Sequence, residues 1–117
     1  PYEFVEHQTR ADTHASEKRL MTATVKKSGV DVAIEGEGNG PIDAYVDALK
    51  KDSGKDIKVF SYSEHSVGGG SDASAIAFVE TEVDGKHLYG IGQDPNIVSA
   101  SLIAVTCAVN RAIRNGG

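Results

Sequence analysis

The sequence predicts an α+β domain built from two βββα units, and three observations support this prediction. First, Gly36 and Gly38 recur as Gly90 and Gly92 with the same spacing, which indicates a duplicated unit. Second, both glycine pairs follow stretches that alternate apolar and polar residues, as strands with one buried face do. Third, a proline and a one-sided helical pattern follow each pair. We therefore expect antiparallel sheets packed on helices, with the two units related by a pseudo-twofold axis.

The first half of the chain predicts three strands and a helix. Residues 2–7 are rich in aromatic and β-branched residues and indicate a strand, whereas residues 8–19 are polar without a period and indicate a loop. Residues 21–34 alternate around Lys27-Ser28-Gly29, which predicts a hairpin. Pro41 then opens a helix that ends at Ser53 and Gly54, with acidic residues early and lysines late.

The second half repeats this order. Residues 56–65 indicate a strand, and residues 66–74 are too rich in glycine and polar residues for a strand interior. Residues 76–83 and 86–92 flank Asp84-Gly85, which suits a two-residue hairpin turn. The broad apolar face of residues 96–114 predicts the second helix.

The strand over residues 56–65 also suggests a homodimer. Strict alternation would place Ile57, Val59 and Ser61 on one face and Phe60 and Tyr62 on the other. Each sheet is left with a second face, and because several residues expected on this face are apolar, we expect the face to be covered. These residues are Phe60, Tyr62, Ala77 and Val79. We therefore expect two copies of the chain to associate.

Composition limits the classes of partner. The chain has 117 residues, enough for a single domain, and carries 17 acidic and 12 basic residues without a basic cluster. We therefore expect neither nucleic acid nor membrane as a partner. No apolar run approaches membrane-spanning length, and the lone Cys107 suits a buried role in a reducing, cytoplasmic setting. Because the chain starts in a predicted strand, we expect residues 1–117 to be one domain of a longer protein.

The titratable residues predict no metal site, no cofactor and no catalytic residue. The four histidines lie on separate predicted elements without metal-ligand spacing; they are His7, His14, His65 and His87. An enzyme using His65 with Glu64 or Asp72 as acid and base is the weaker alternative, since no nucleophile accompanies them.

A small zwitterion is the ligand that the remaining features suit best. The loop SVGGGSDASA offers bare backbone, the carboxylate of Asp72 and small side chains. The glycine corners before the two helices would leave main-chain N–H groups for an anion. Ile42, Val59, Tyr62 and Ile97 could form an apolar wall, although Val59 and Ile97 suit a plain core role better. The residues alone therefore indicate a soluble ligand-binding or interaction domain.

Three motifs carry a resemblance to a known family. Taken together, GEGNGPIDAYVDALK, YSEHSVGGGSDASAIAFVE and YGIGQDPNIVSASLIAVTCAVNRA resemble the C-terminal regulatory domain of 2-isopropylmalate synthase, over residues 20–114. That enzyme condenses acetyl-CoA with 2-oxoisovalerate in leucine synthesis. The domain is also similar to the isoleucine-responsive domain of citramalate synthase. The resemblance implies a homodimer that binds L-leucine, or another small aliphatic amino acid, near the dimer interface.

The resemblance also implies feedback inhibition of a distant N-terminal catalytic barrel, which holds the metal ligands, so this fragment should be inactive alone. The alternatives are isoleucine sensing and a dimerisation module without an effector. The residues expected at the effector are Gly38, Asn39, Pro41, Ile42, Val59, Tyr62, His65, Gly69, Asp72, Ala73, Ala75 and Ile97.

Overall fold

The structure is a computed structural model that describes residues 2–11, 19–68 and 74–116. The α+β class and the doubled βββα order are confirmed. The chain divides into a first unit, Tyr2–Lys55, and a second unit, Asp56–Gly117. The elements are β1 (Tyr2–Ala11), β2 (Arg19–Lys27), β3 (Val30–Gly38), α1 (Pro41–Ser53), β4 (Ile57–Val67), β5 (Ser74–Val83), β6 (Lys86–Asp94) and α2 (Ile97–Gly116).

Each unit contains one antiparallel sheet with its strands in sequence order, β1-β2-β3 and β4-β5-β6. Both sheets contain a two-residue hairpin turn. Ser28 and Gly29 have φ of 55° and 84°, and Asp84 and Gly85 have φ of 49° and 85°. Positive φ at both central residues is the geometry that matches the twist of the flanking strands. The predicted turn at Asp84-Gly85 is confirmed.

The first strand of each sheet carries a β-bulge at the same place. The register shifts between Phe4 and Glu6 in β1 and between Val59 and Ser61 in β4. Because the extra residue changes the alternation beyond it, Ser61 and Tyr62 exchange faces relative to the sequence prediction. Tyr62 is paired with Val79, on the same face as Ile57 and Val59, and the predicted assignment of Ser61 and Tyr62 is wrong.

Both helices pack closely on their sheets because glycines lie beneath them. A Cβ on Gly36 would lie closer than 3.0 Å to Ala44 and Ala48, and one on Gly90 would lie that close to the backbone of Ala108 and the carbonyl oxygen of Ala104. Gly38 and Gly92 are restricted in the same way. These glycines are therefore required for the approach of helix to strand, rather than for a turn.

The core of each unit lies between its helix and its sheet. In the first unit the largest fully buried side chains are those of Tyr45, Met21, Leu49 and Val25. In the second unit they are those of Leu102, Val79, Val83, Val105 and Val109. Ala77 and Val79, which the sequence suggested for an uncovered face, are buried against α2.

Helix α2 differs from expectation in two respects. Cys107 is only partly buried. The window Ile97–Arg114 is long and apolar enough to cross a membrane by length and composition, so the prediction that no apolar run approaches membrane-spanning length is wrong. Half of that window is buried, as in a helix packed on its own sheet, so this observation carries little weight.

Candidate functional site

The structure distributes the predicted effector residues over both units. The first unit holds Gly38, Asn39, Pro41 and Ile42, and the second holds Val59, Tyr62, His65, Ala75 and Ile97. Gly69, Asp72 and Ala73 lie outside the described residues. The two groups are considered separately below.

The corner before α1 has an uncapped helix start. Gly40 is the N-cap residue and has no side chain to cap the helix, and Pro41 follows at a position where no N–H is needed. The carboxylate of Asp47 instead accepts a hydrogen bond from the N–H of Glu37 at 3.0 Å. Burial of Asp47 works against its ionisation, but this bond and Lys51 outweigh burial and lower the pKa of Asp47.

The corner before α2 is filled by its own side chains. Asn96 caps the helix, because its Oδ1 accepts from the N–H of Ser99 at 2.9 Å. Asp94 Oδ2 in turn accepts from the N–H of Asn96 at 2.8 Å. The prediction that both corners present bare main-chain donors is therefore wrong for the second corner.

A ledge on β4 is the candidate site in the second unit. Helix α2 lies over β5 and β6 and barely touches β4. The β4 residues on the helix side therefore lack full cover; we call Val59, Tyr62, Glu64 and Ser66 the β4 ledge. Their register partners on β5 are buried, including Val79 opposite Tyr62. Tyr62 is 56% exposed, so the ledge offers an aromatic surface beside α2.

A buried serine ties the β4 ledge to α2. The hydroxyl of Ser101, which is only 1% exposed, donates to Glu64 Oε2 at 2.5 Å. It also lies 3.2 Å from the carbonyl oxygen of Ile97, one helical turn earlier on the same side of α2. The ledge thus combines a positioned carboxylate with the apolar surfaces of Tyr62 and Ile97. Such a set can accept an ammonium group and an aliphatic chain.

The sequence reasoning missed Ser101, because it considered only the apolar positions of the second helix. A serine at a buried helix position needs a hydrogen-bond partner, and this requirement was the available signal. Ala75, at the end of β5, is 5% exposed and belongs to the helix-side face with the ledge. His65 pairs with Ile76 and therefore lies on the opposite face.

This opposite face of the second sheet, which we call the open face, contains a hollow of about 360 Å³. It is lined by Ser61, Tyr62, Ser63, Phe78, Val79, Glu80, Tyr89 and Gly90. Of the predicted effector residues, only Tyr62 contributes to it. The hollow was not predicted, because its residues come together through the bulge that brings Ser61 to this face.

Glu80 is the charged group of this hollow, and two neighbours hold it. Ser61 Oγ donates to Glu80 Oε1 at 3.0 Å, and His87 Nε2 lies 2.5 Å from Glu80 Oε2. The imidazole of His87 stacks on the ring of Tyr89 at 5.3 Å between centroids. Among the described residues, no group of three or more metal-ligating side chains lies close enough together to hold a metal ion, either in this hollow or elsewhere.

Comparison with known proteins gives the family. Residues 1–113 match the family described as the LeuA allosteric (dimerisation) domain. The chain belongs to this family. It is 51% identical over 111 residues to a 2-isopropylmalate synthase of Rhodospirillum rubrum, and 51% identical over 110 residues to that of Brucella suis. Both matches cover 94% of this chain. The LeuA domain described here spans about a fifth of the length of these curated relatives, since the matches cover 20% of each.

Proposed function

We propose that this LeuA domain binds L-leucine and mediates feedback inhibition of a 2-isopropylmalate synthase of which it is the C-terminal part. The observation that carries the proposal is the identity of about one half, across nearly the whole chain, to relatives of that name. The parent enzyme would form 2-isopropylmalate from acetyl-CoA and 2-oxoisovalerate in its own catalytic barrel. The regulatory domain would contribute no catalytic residue.

The chemistry of the β4 ledge supports an amino acid as the effector. The carboxylate of Glu64, held by Ser101, suits the ammonium group, and the exposed ring of Tyr62 suits an aliphatic side chain. The other effector residues expected from the resemblance remain part of the proposal.

Inhibition requires that leucine bind one arrangement of the whole enzyme more tightly than another. The usual coupling between such sites is about 1–3 kcal/mol, which changes an affinity by roughly 5- to 150-fold. We propose that the domain acts as a homodimer, in agreement with the dimerisation named in its family description, and that it contacts the catalytic barrel of the parent.

Titration calorimetry of the 117-residue chain with leucine and with isoleucine tests this proposal. We expect leucine to bind, and Tyr62→Ala to weaken binding at least about tenfold. The matched control is Phe60→Ala, because Phe60 is similarly exposed, at 55%, on the same strand but belongs neither to the β4 ledge nor to the lining of the hollow. Binding of isoleucine alone would assign the domain to the citramalate synthase type.

A dimerisation module without an effector is the second candidate, and the family description favours it because it names dimerisation. Both candidates predict a dimer, which light scattering tests, and the calorimetry above distinguishes them because only one binds an amino acid. A stable dimer that binds no aliphatic amino acid at millimolar concentration would refute leucine sensing and support this candidate.

A further inference from the structure

The open face of the second sheet has two adjacent rows of residues that meet in the hollow. One row is Ser61, Glu80 and Tyr89, and the next is Ser63, Phe78 and Ile91. The row between them points to the other face, where Val79 is buried and Gly90 lies under α2. The hollow of about 360 Å³ therefore lies on the far side of the sheet from the β4 ledge.

The charge of the hollow favours a cation. Glu80 is the single carboxylate among the residues that line it, and none of these residues is a lysine or arginine. Ser61 and His87 take one hydrogen-bonding position on each oxygen of Glu80 and fix its orientation. Since a carboxylate oxygen has about two lone-pair sites, Glu80 keeps acceptor positions for a ligand. An anionic group would instead be repelled.

The walls of the hollow favour a cation with an apolar part. Tyr89 and Phe78 are 59% and 45% exposed, so part of each ring is accessible, although His87 stacks on one side of Tyr89 and His65 contacts Phe78. A cation near an aromatic face is attracted by the ring quadrupole, and a nearby carboxylate adds a charge-assisted hydrogen bond. The volume lies within the range of small-molecule sites, at its lower end.

At the equivalent positions the first unit has neither the central carboxylate nor the two rings, although Glu6 and Glu35 lie elsewhere on that face. When the two sheets are aligned at their bulges, Glu80 corresponds to Thr24, Tyr89 to Ala33 and Phe78 to Thr22. The fold of a βββα unit therefore does not require the carboxylate or the rings.

We propose that the hollow on the open face binds a small organic cation, namely a primary amine with a short aliphatic or aromatic tail. Glu80 is the counter-ion of the ammonium group, and Tyr89 and Phe78 contact the tail. Stacked nucleic-acid bases would also suit exposed rings, but the carboxylate and the lack of lining cations oppose a phosphate backbone. This site lies on the opposite face of the sheet from the β4 ledge, with Tyr62 as the residue common to both, and the proposal does not depend on leucine sensing.

Calorimetry with 3-methylbutylamine, which is leucine without its carboxyl group, tests the proposal on the 117-residue chain. We expect the amine to bind and 4-methylpentanoate, which lacks the amino group, not to bind. Glu80→Gln should weaken amine binding at least about tenfold, because the amide keeps the shape but loses the charge. Glu82→Gln is the matched control, since Glu82 lies on β5 two residues further along the same face, outside the lining set, and should change affinity less than about twofold.

A second variant, Tyr89→Leu, keeps the proposal testable if Glu80→Gln does not fold, and it should also weaken amine binding. The proposal is wrong if the amine does not bind, if the acid binds equally well, or if folded Glu80→Gln binds the amine normally. Leucine titrations run in parallel keep the two proposals distinct. Leucine sensing fails if leucine does not bind the unaltered chain, whatever the amine does.

Discussion

The two βββα units share their internal construction but differ in the surfaces they present. Each unit has a two-residue hairpin with positive φ, a bulge at the same point of its first strand, and a pair of glycines beneath its helix. Ala44 and Ala48 of α1 have the same contacts with Gly36 that Ala104 and Ala108 of α2 have with Gly90. The shared features are those that a helix needs to lie on a three-stranded sheet.

The side of the first strand that faces the helix shows the difference. In the first unit, Tyr2 donates to Asp52 Oδ2 of α1 at 2.7 Å, and the ring of Phe4 packs edge-on against the buried Tyr45. Burial and the bond to Asp52 raise the pKa of Tyr2. When the first strands of the two sheets are aligned at their bulges, Tyr62 of the second unit corresponds to His7 of the first. Tyr62 is exposed, whereas His7 is half-buried.

The open faces of the two sheets also carry different residues. Thr22, Thr24, Ala33 and Glu35 form the centre of this face in the first sheet, whereas the second has aromatic residues around Glu80. In the first unit the first strand is therefore bonded to α1 and the open face is polar, whereas the second unit has a ledge and an aromatic hollow. Both proposed ligand sites of the second unit, the β4 ledge and the hollow, are therefore formed by residues that differ between the two units.

The largest effect is expected from adding one methyl group under a helix. Gly36→Ala and Gly90→Ala should each destabilise the chain by at least about 2–3 kcal/mol, because the new Cβ meets helix backbone that cannot rotate away. Urea unfolding measures this cost. Similar values for the two variants would support equivalent packing in the two units.

Gly40→Ala is the control for these substitutions. A Cβ at Gly40 has nothing within 4 Å, and its φ of −158° is extended, so the cost should stay below about 1 kcal/mol, mainly from the helix cap. If Gly36→Ala or Gly90→Ala proved as mild as this control, the tight helix contact would be incorrect. Gly38→Asp is a poor probe of effector binding for the same reason, since it would disturb α1.

A smaller effect is expected from removing the hydroxyl of Tyr2, which bonds β1 to α1 in the first unit. Tyr2→Phe should cost about 1 kcal/mol, because the ring is only 6% exposed and its hydrogen bond to Asp52 is lost. Thermal and urea unfolding measure the difference. The same change at the exposed Tyr62 should cost less than about 0.5 kcal/mol. Equal costs at the two positions would contradict the difference in burial and bonding between Tyr2 and Tyr62.

The smallest effect concerns pH and is confined to the first unit. Burial lowers the pKa of His7 below its ordinary value of 6.5, although Glu6 acts in the opposite direction, and His7 Nδ1 is buried without a partner. The unfolded chain therefore binds this proton more readily than the folded one, so stability should fall as pH drops through 6.5 towards the folded pKa.

The measurement for His7 is the unfolding midpoint in a pH series across that window, with His7→Gln as the comparison. The variant should lose part of the decrease seen in the unaltered chain. An identical pH dependence in both proteins would show that His7 makes no contribution, and the contrast between His7 and Tyr62 would then be one of exposure alone.

Much of the candidate site was accessible from the sequence only as a set of residue types. Tyr62 and Ile97 were predicted to form an apolar wall, and the structure relates them through Ser101 and Glu64. Asn96 is a favourable helix cap, and reading it as such would have shown that the second corner is filled. The hollow around Glu80 could not be predicted, because nothing local marks the bulge at Phe60.

The sequence by itself determined the α+β class, the repeat, both hairpins and the positions of the helices, because periodicity and turn chemistry act between neighbouring residues. The tertiary structure decided which face each β4 residue occupies and how far α2 covers its sheet. Those outcomes depend on one extra residue in a strand and on glycines that admit a helix, and both act through contacts between residues far apart in the chain.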